Sequence, residues 1–247
     1  MKILIVYLEK ERKEAYELKR KIRNHEVKII NRKRLKRFLE GGFIKFDLTI
    51  VVGGDGTFLR TAQFISNKLI LGINPKPGRR EAFLSSMTAD QFSEELLSKL
   101  KVEYLPRLKV KINNKLIKEK AVNDIYIGDK KPYKTSKYII EFKGKKETQI
   151  SSGVIASTAI GTNSWFKSLT GKTHTDNSKI YFAVREPYSN KVYKATIKEG
   201  ATQKLKLTAL KNLILVVDSV SEEYKVNKDD RVTITIEKSS LKRLVMT

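Results

Sequence analysis

Val51-Val52-Gly53-Gly54-Asp55-Gly56-Thr57-Phe58 is the stretch on which the reading of this chain turns. Leu48 to Val52 is apolar but for one threonine, as expected of a strand buried on both faces. Gly53-Gly54 ends it, and Thr57 to Asn67 reads as a helix. In an open parallel sheet, ligands bind at the carboxyl ends of strands. Three glycines there allow close backbone approach and positive φ. Backbone N–H groups at the start of the following helix favour phosphate. An aspartate in such a turn repels phosphate unless it holds Mg²⁺ or takes a proton from a hydroxyl nucleophile. The plain alternative is a tight turn whose Asp55 caps the helix. The strand before it and the further glycines favour the phosphate site.

The flanks repeat strand and helix. Ile3 to Leu8 is a continuous apolar run, and Glu11 to Asn24 follows with Ala15, Leu18 and Ile22 on one helical face. Val27 to Ile30 is the next strand, Arg32 to Glu40 a short basic helix stopped by Gly41-Gly42, and Leu69 to Ile73 another strand. Thr88 is expected to cap a helix running to Leu100, with Gln91 completing a capping box. This β-α-β-α order implies a parallel sheet covered by helices. Past Pro106 the period changes to two. Leu108 to Ile112, Lys115 to Ile117, Ile125 to Ile127, Tyr138 to Phe142, Tyr181 to Val184, Leu213 to Val217 and Val232 to Ile236 are short strands, with turns at Asn113-Asn114 and Lys143-Gly144-Lys145. The expected fold is therefore α+β in two domains. Residues 1–100 form an N-terminal α/β, Rossmann-like parallel-sheet domain, and residues 101–236 a C-terminal all-β, sandwich-like domain. A cleft between the halves is the default ligand site.

Composition narrows the chemistry. There is no cysteine, hence no disulfide and no thiolate nucleophile, and His25 and His174 lack metal-ligand spacing, so no metal site is expected. No apolar run approaches the ~18 residues of a membrane span, and the N-terminus reads as a first strand rather than a signal peptide, which points to a cytoplasmic protein. Lys and Arg number 51 against 27 Asp and Glu, a net charge of +24 that favours anionic partners, nucleic acid or phosphorylated small molecules; a solvated lysine-rich surface is the bland alternative. The basic clusters at 19–23 and 32–37, the second resembling a nuclear localisation signal, fall on amphipathic helices without interleaved aromatics, which makes nucleic acid the less favoured partner.

Gly53-Gly54-Asp55-Gly56-Thr57 resembles the signature of NAD kinases, diacylglycerol kinases and sphingosine kinases. Gly72-Ile73-Asn74 is similar to the Gly-Ile/Val-Asn segment of NAD kinases, and Ala121-Val122-Asn123-Asp124 to their Ala-Leu-Asn-Glu. Ser152-Gly153 through Thr158-Ala159-Ile160-Gly161-Thr162-Asn163-Ser164-Trp165 resembles their Asp-Gly…Thr-Pro-Thr-Gly-Ser-Thr-Ala-Tyr, with Ser152 for Asp, Ala159 for Pro and Ile160 for Thr. Ser151-Ser152-Gly153, Trp165, Lys134 to Tyr138 and the Val184-Arg185-Glu186-Pro187…Asn190-Lys191-Val192-Tyr193 stretch are similar to the mitochondrial-type NAD kinases of animals. A lipid kinase with the same turn would want a more apolar acceptor site and leaves Asn123-Asp124 unexplained.

The resemblance implies a kinase that moves the terminal phosphoryl group of ATP to the adenosine ribose 2′-hydroxyl of NAD. Asp55 would be the general base. Gly53, Gly54, Gly56, Thr57 and Arg60 would shape the ATP phosphate site. Asp55, Gly56, Asn74, Thr158, Asn163, Ser164, Trp165, Ser168, Glu186 and Tyr188 would contact NAD, and Asn123 and Asp124 would bind the ribose at its nicotinamide end. Mg²⁺ would arrive with ATP. The resemblance also implies a homodimer or homotetramer, NAD binding by the β-rich half, and a return of residues 237–247 to the first domain. Read without it, Asn123-Asp124 is a turn pair, Trp165 a core residue and Arg60 a solvated helix residue.

Overall fold

The computed structural model describes residues 1–40, 46–65, 67–78, 82–191, 193–219, 222–237 and 239–246. The Gly41-Gly42 helix stop and Val192 lie outside the described residues. The chain separates into two compact units, Met1–Leu105 with Ser240–Thr247, and Pro106–Ser239.

The first unit contains β1 (Lys2–Tyr7), β2 (Glu26–Asn31), β3 (Leu48–Val52), β4 (Leu69–Asn74), β5 (Met87–Thr88) and β6 (Lys101–Leu105), with α1 (Arg12–Lys21), α2 (Leu35–Glu40) and α3 (Asp55–Ala62). In the second are β7 (Leu108–Ile112), β8 (Lys115–Leu116), β9 (Asp124–Gly128), β10 (Ser136–Phe142), β11 (Lys145–Ser151), β12 (Val154–Ser157), the short helix α4 (Trp165–Thr170), β13 (Ile180–Val184), β14 (Glu199–Thr202), β15 (Lys204–Ala209), β16 (Leu213–Val217), β17 (Tyr224–Val226) and β18 (Arg231–Ile236). The last strand, β19 (Leu241–Val245), belongs to the first unit.

The first sheet has the order β2-β1-β3-β4-β19-β6, with β5 on β4. Its pairings are parallel except β19 with β6. The apolar run in β1 behaves as a doubly covered strand should. Ile3 and Ile5 pack with Ala15 and Leu18 of α1, and Leu4 and Val6 pack with Leu35 of α2 on the opposite face. Residues Ile3 to Val6 are each 0% exposed. Burying one such side chain contributes ~1.5–3 kcal/mol. The strand order reverses between β1 and β3, and the glycine turn leaves the carboxyl end of β3 at that switch point.

One expected helix is absent. Thr88 and Gln91 form the reciprocal capping-box bonds, Thr88 N–H to Gln91 Oε1 at 2.9 Å and Gln91 N–H to Thr88 Oγ1 at 3.4 Å. Only a 3₁₀ turn, Glu94–Ser98, follows. The Lys21 ammonium donates to the carbonyls of Ala89 and Phe92 at 2.9 and 3.2 Å. Those carbonyls are thus turned toward α1 rather than along a helix axis, while Phe92 is plugged into the core, 2% exposed. Lys21 is correspondingly a structural residue, not merely part of a solvated basic face. The helix after the glycine turn starts two residues early, at Asp55, and its last turns after Ala62 are 3₁₀-like, with Phe64 N–H bonded to Thr61 O.

The second unit is a sandwich of two antiparallel sheets, β11-β10-β15-β18-β7-β8 and β14-β13-β12-β9-β16-β17. Alternate residues of both enter one core: Leu108 and Val110 from β7, Tyr138 and Ile140 from β10, Ile125 and Ile127 from β9, Phe182 from β13. Helix α4 ends at Gly171, whose φ of 71° makes the left-handed C-terminal cap.

Candidate active site

The glycine turn is built for closeness, not for handedness. Gly54 precedes α3 in extended conformation, φ −84° and ψ −179°. None of Gly53, Gly54 and Gly56 has the positive φ that their sequence suggested. A strand running straight into a helix N-terminus needs only an extended N-cap. What Gly53 supplies is space, since a Cβ there would lie 2.9 Å from both Cβ and Oγ1 of Thr57. Thr57 is buried beneath the turn, and its N–H closes on Gly54 O at 2.9 Å. Gly56 is exposed, and a Cβ there would meet nothing.

Asp55 is the first residue of α3, and the N-cap position belongs to Gly54. Its half-buried carboxylate reaches across to a second loop, accepting the N–H of Phe83 at 3.1 Å and of Leu84 at 2.8 Å, one on each oxygen. That loop is brought in by Gly72 of β4. A Cβ on Gly72 would stand 2.6 Å from Leu84 O and 2.9 Å from Ser85 Cα, and Ser86 N–H donates to Gly72 O at 3.0 Å. Neither the Phe83 and Leu84 donors nor the reason for Gly72 was read from the sequence. Asn74, at the end of the same strand, uses its side-chain oxygen to accept Lys76 N–H at 3.1 Å. Arg60 projects from α3 near Arg32, which follows β2. Burial, and then the neighbouring Arg60 charge, lower the pKa of Arg32. Two guanidinium groups thus gather at the carboxyl ends of the strands.

In the second unit Asn123 and Asp124 are 8% and 5% exposed, so they are not a solvated turn pair. They are held by a residue the sequence reading passed over. Asp218, at the end of β16, accepts three successive backbone N–H groups, from Val122 at 2.7 Å, Asn123 at 2.8 Å and Asp124 at 3.0 Å. Asp218 N–H donates in return to Asp124 O at 2.9 Å. Burial raises the Asp218 carboxyl to about 6, against the lowering effect of those N–H groups and of buried Arg107. Burial, with the Asp218 charge beside it, raises Asp124 to about 7.

The Thr158–Gly161 turn lies directly on this pair. Thr158 Oγ1 donates to Val122 O at 2.6 Å, Thr158 N–H donates to Asn123 O at 2.9 Å, and Gly161 N–H returns to Thr158 Oγ1 at 3.0 Å. A Cβ on Gly161 would be 2.0 Å from Asn123 O. Asn163 and Ser164 follow on the surface, Asn163 donating from its amide to Ile160 O at 3.2 Å. Ser168 is exposed one turn into α4, its N–H on Ser164 O at 3.4 Å. Trp165 is not a core residue. It stacks on Tyr126 at a centroid distance of 5.5 Å, with the Arg185 guanidinium 4.9 Å from its ring centre and 5.7 Å from that of Tyr126. Glu186 accepts the Ser152 hydroxyl, whereas Tyr188 is 49% exposed, its hydroxyl accepting from Asn190 Nδ2 at 3.1 Å.

The expected site residues therefore form two constellations. Gly53 to Thr57, Arg60 and Asn74 are in the first unit, and Asn123, Asp124, Thr158, Asn163 to Trp165, Ser168, Glu186 and Tyr188 in the second. Among the described residues no group of three or more His, Cys, Asp or Glu could hold a metal ion.

The NAD kinase of Thermoplasma acidophilum is 28% identical to this chain over 208 residues, 81% of this chain and 74% of the relative. That of Picrophilus torridus is 30% identical over 214 residues, 84% of this chain and 77% of the relative. The chain belongs to the NAD kinase family. No protein-family model matches it. Among solved structures, yeast NADH kinase complexed with NADH shares the fold at a TM-score of 0.79 and 16% identity, covering 100% of this chain and 84% of the other. The NAD kinase from Archaeoglobus fulgidus in complex with ATP gives 0.74 at 22% identity, covering 100% and 94%. At Ala159 and Ile160, where the chain departs from the NAD kinase motif, the turn draws none of its bonds to Val122 and Asn123: those come from Thr158, and the close approach from Gly161.

Proposed function

We propose that this protein is an NAD kinase that transfers the terminal phosphoryl group of ATP to the adenosine ribose 2′-hydroxyl of NAD, giving NADP. The observation that carries the reading is the Asp55 carboxylate, oriented through both oxygens by Phe83 and Leu84 N–H at the head of α3. It stands at the switch point of a parallel sheet beside an open glycine surface at Gly56. Its role is to accept the proton of the attacking hydroxyl. The head of α3 favours the donor phosphates, and Arg60 offsets their charge. Phosphoryl transfer needs positioning and charge stabilisation more than covalent help, and these residues supply both.

With no group of three or more metal-ligating side chains among the described residues, the site suits a Mg²⁺ that comes with ATP rather than one held in a protein cage. When bound, Mg²⁺ would neutralise phosphate charge, with Asp55 the carboxylate the turn itself offers it. Asn123 and Asp124 bind the ribose hydroxyls of the nicotinamide end, with Asp218 and Thr158 holding their backbone. The relatives named NAD kinase, a structural neighbour solved with ATP and another solved with NADH support both substrate assignments. The division of labour belongs to the same proposal: residues 1–100 with 237–247 handle phosphate, with their sheet running on to Leu105, and residues 101–236 bind NAD.

The likeness to the mitochondrial-type branch rests on sequence alone, on Ser151-Ser152-Gly153, Trp165, Lys134 to Tyr138 and the 184–193 stretch. A cytoplasmic homodimer or homotetramer completes the reading; no helix among the described residues is long and apolar enough to cross a membrane. Incubation with ATP, Mg²⁺ and NAD, followed by detection of NADP, tests the activity. Failure to form NADP, with NAD bound, would sink it.

A further inference from the structure

The family segment that Ser152-Gly153 resembles opens with an aspartate, and this chain has no acid at that position. The fold brings a carboxylate there from elsewhere. Ser152 Oγ donates to Glu186 Oε2. The backbone holds the two in place, with Ser152 N–H on Arg185 O at 2.9 Å and Arg185 N–H on Gly153 O at 2.8 Å. Gly153 has a φ of 111°, and a Cβ there would lie 2.6 Å from Ile127 O, so the strand crosses too closely for any side chain. Glu186 itself is left-handed, φ 44°. Such a conformation is uncommon for a non-glycine residue and persists only where the surroundings impose it, often at binding sites. The Trp165–Tyr126 stack adjoins the pair, joined to it by Tyr126 O–H donating to Ser152 O at 3.0 Å. Arg185 lies 3.9 Å from the Glu186 carboxylate and over both rings.

We propose that Glu186, hydrogen-bonded to Ser152, is the acid that reads an NH₂ group of the dinucleotide beside the Trp165–Tyr126 stack, supplied from the loop after β13 in place of an acid at 152. The inference rests on NAD being the ligand. A carboxylate only accepts hydrogen bonds, so it selects a donor and repels a second carboxylate. NAD carries two such donors, the carboxamide of nicotinamide and the amine of adenine. Arg185 keeps the acid from repelling the diphosphate.

The test is calorimetric binding, without ATP, of NAD, deamido-NAD (carboxylate for carboxamide) and hypoxanthine dinucleotide (no adenine amine). The proteins are wild type, Glu186→Gln and Glu186→Gln with Ser152→Asp. The Glu186 side chain is 68% exposed, so these changes leave the core untouched. Wild type is expected to prefer NAD over one analogue by ~10-fold or more, the scale of a hydrogen bond to a charged group, and the analogue refused identifies the amine read. Glu186→Gln should bring that preference to within about 2-fold, and Ser152→Asp should restore it. A residue that merely shaped the loop would weaken all three ligands alike, with no rescue. Equal binding of the three by wild type, an unchanged preference in Glu186→Gln, or failure of the acid at 152 to restore it overturns the proposal. Preference intact without NADP formation sinks the kinase reading alone, and no binding of any dinucleotide sinks both.

Discussion

At the residue scale the sharpest expectation concerns Asp55. Asp55→Asn keeps one acceptor oxygen for the 83–84 loop, sets an NH₂ against the other N–H and removes the base, so turnover should fall ~10²- to 10⁴-fold while the thermal midpoint drops only by the loss of that one hydrogen bond, ~1–3 kcal/mol. Near-normal turnover would remove Asp55 from the chemistry. Asp124 allows two readings of one proton. Its carboxyl is raised to about 7 by burial and by Asp218, so the folded protein holds protons that the unfolded chain has already lost above the ordinary 3.8. The stability contribution is present below about 3.8 and lost as pH rises to about 7. Ribose binding runs the other way, because only the ionised carboxylate accepts from both hydroxyls. NAD affinity should therefore rise from pH 6 to 8 while melting temperature falls from pH 4 to 7, and Asp124→Asn should flatten the affinity curve and leave in the melting curve only the fall that Asp218, raised to about 6, contributes. Titrating NAD and ATP separately into Asp124→Ala should show a loss of ~1.5–3 kcal/mol for NAD alone. Equal losses would make the residue structural.

Elements explain which glycines and turns matter. A Cβ on Gly161 would collide with backbone, Asn123 O at 2.0 Å, whereas one on Gly53 meets the Thr57 side chain at 2.9 Å. Overpacking costs typically ~1–3 kcal/mol, so Gly161→Ala should lower the melting temperature and weaken NAD binding together. Gly53→Ala should be the milder of the two; calorimetric melting orders them, and the reverse order would contradict the packing shown. The elements also show where local sequence reading stops. The β1 run was legible because a doubly buried strand leaves no polar face. Strand β11, Lys145–Ser151, was not, since it is an edge strand with mostly polar outward residues. Thr88 and Gln91 carried a true capping signal, yet Lys21, 68 positions from Ala89, claimed the carbonyl and Phe92 the core. A cap contributes ~1 kcal/mol, and burying an aromatic outweighs it.

At the scale of the whole molecule, +24 of net charge should appear in association. If the basic surface steers anionic substrates, kcat/KM for ATP and NAD should drop as salt rises and the Debye length shrinks from ~10 Å at 0.1 M. A salt-independent kcat/KM would leave those lysines as solvation only. The parallel sheet with its glycine turn, the β-sandwich and the family motifs were all determined by the sequence itself. Hydrophobic period and turn chemistry are short-range signals, complete within a dozen residues. Tertiary structure alone decided that Asp218, 94 positions from Asp124, holds its backbone N–H, that Phe83 and Leu84 orient Asp55, and that Glu186 stands against Ser152. Each is a carboxylate choosing among many donors of equal local merit. The choice is made by which strands and loops pack together, because a buried polar group must take whatever partner the fold brings within reach.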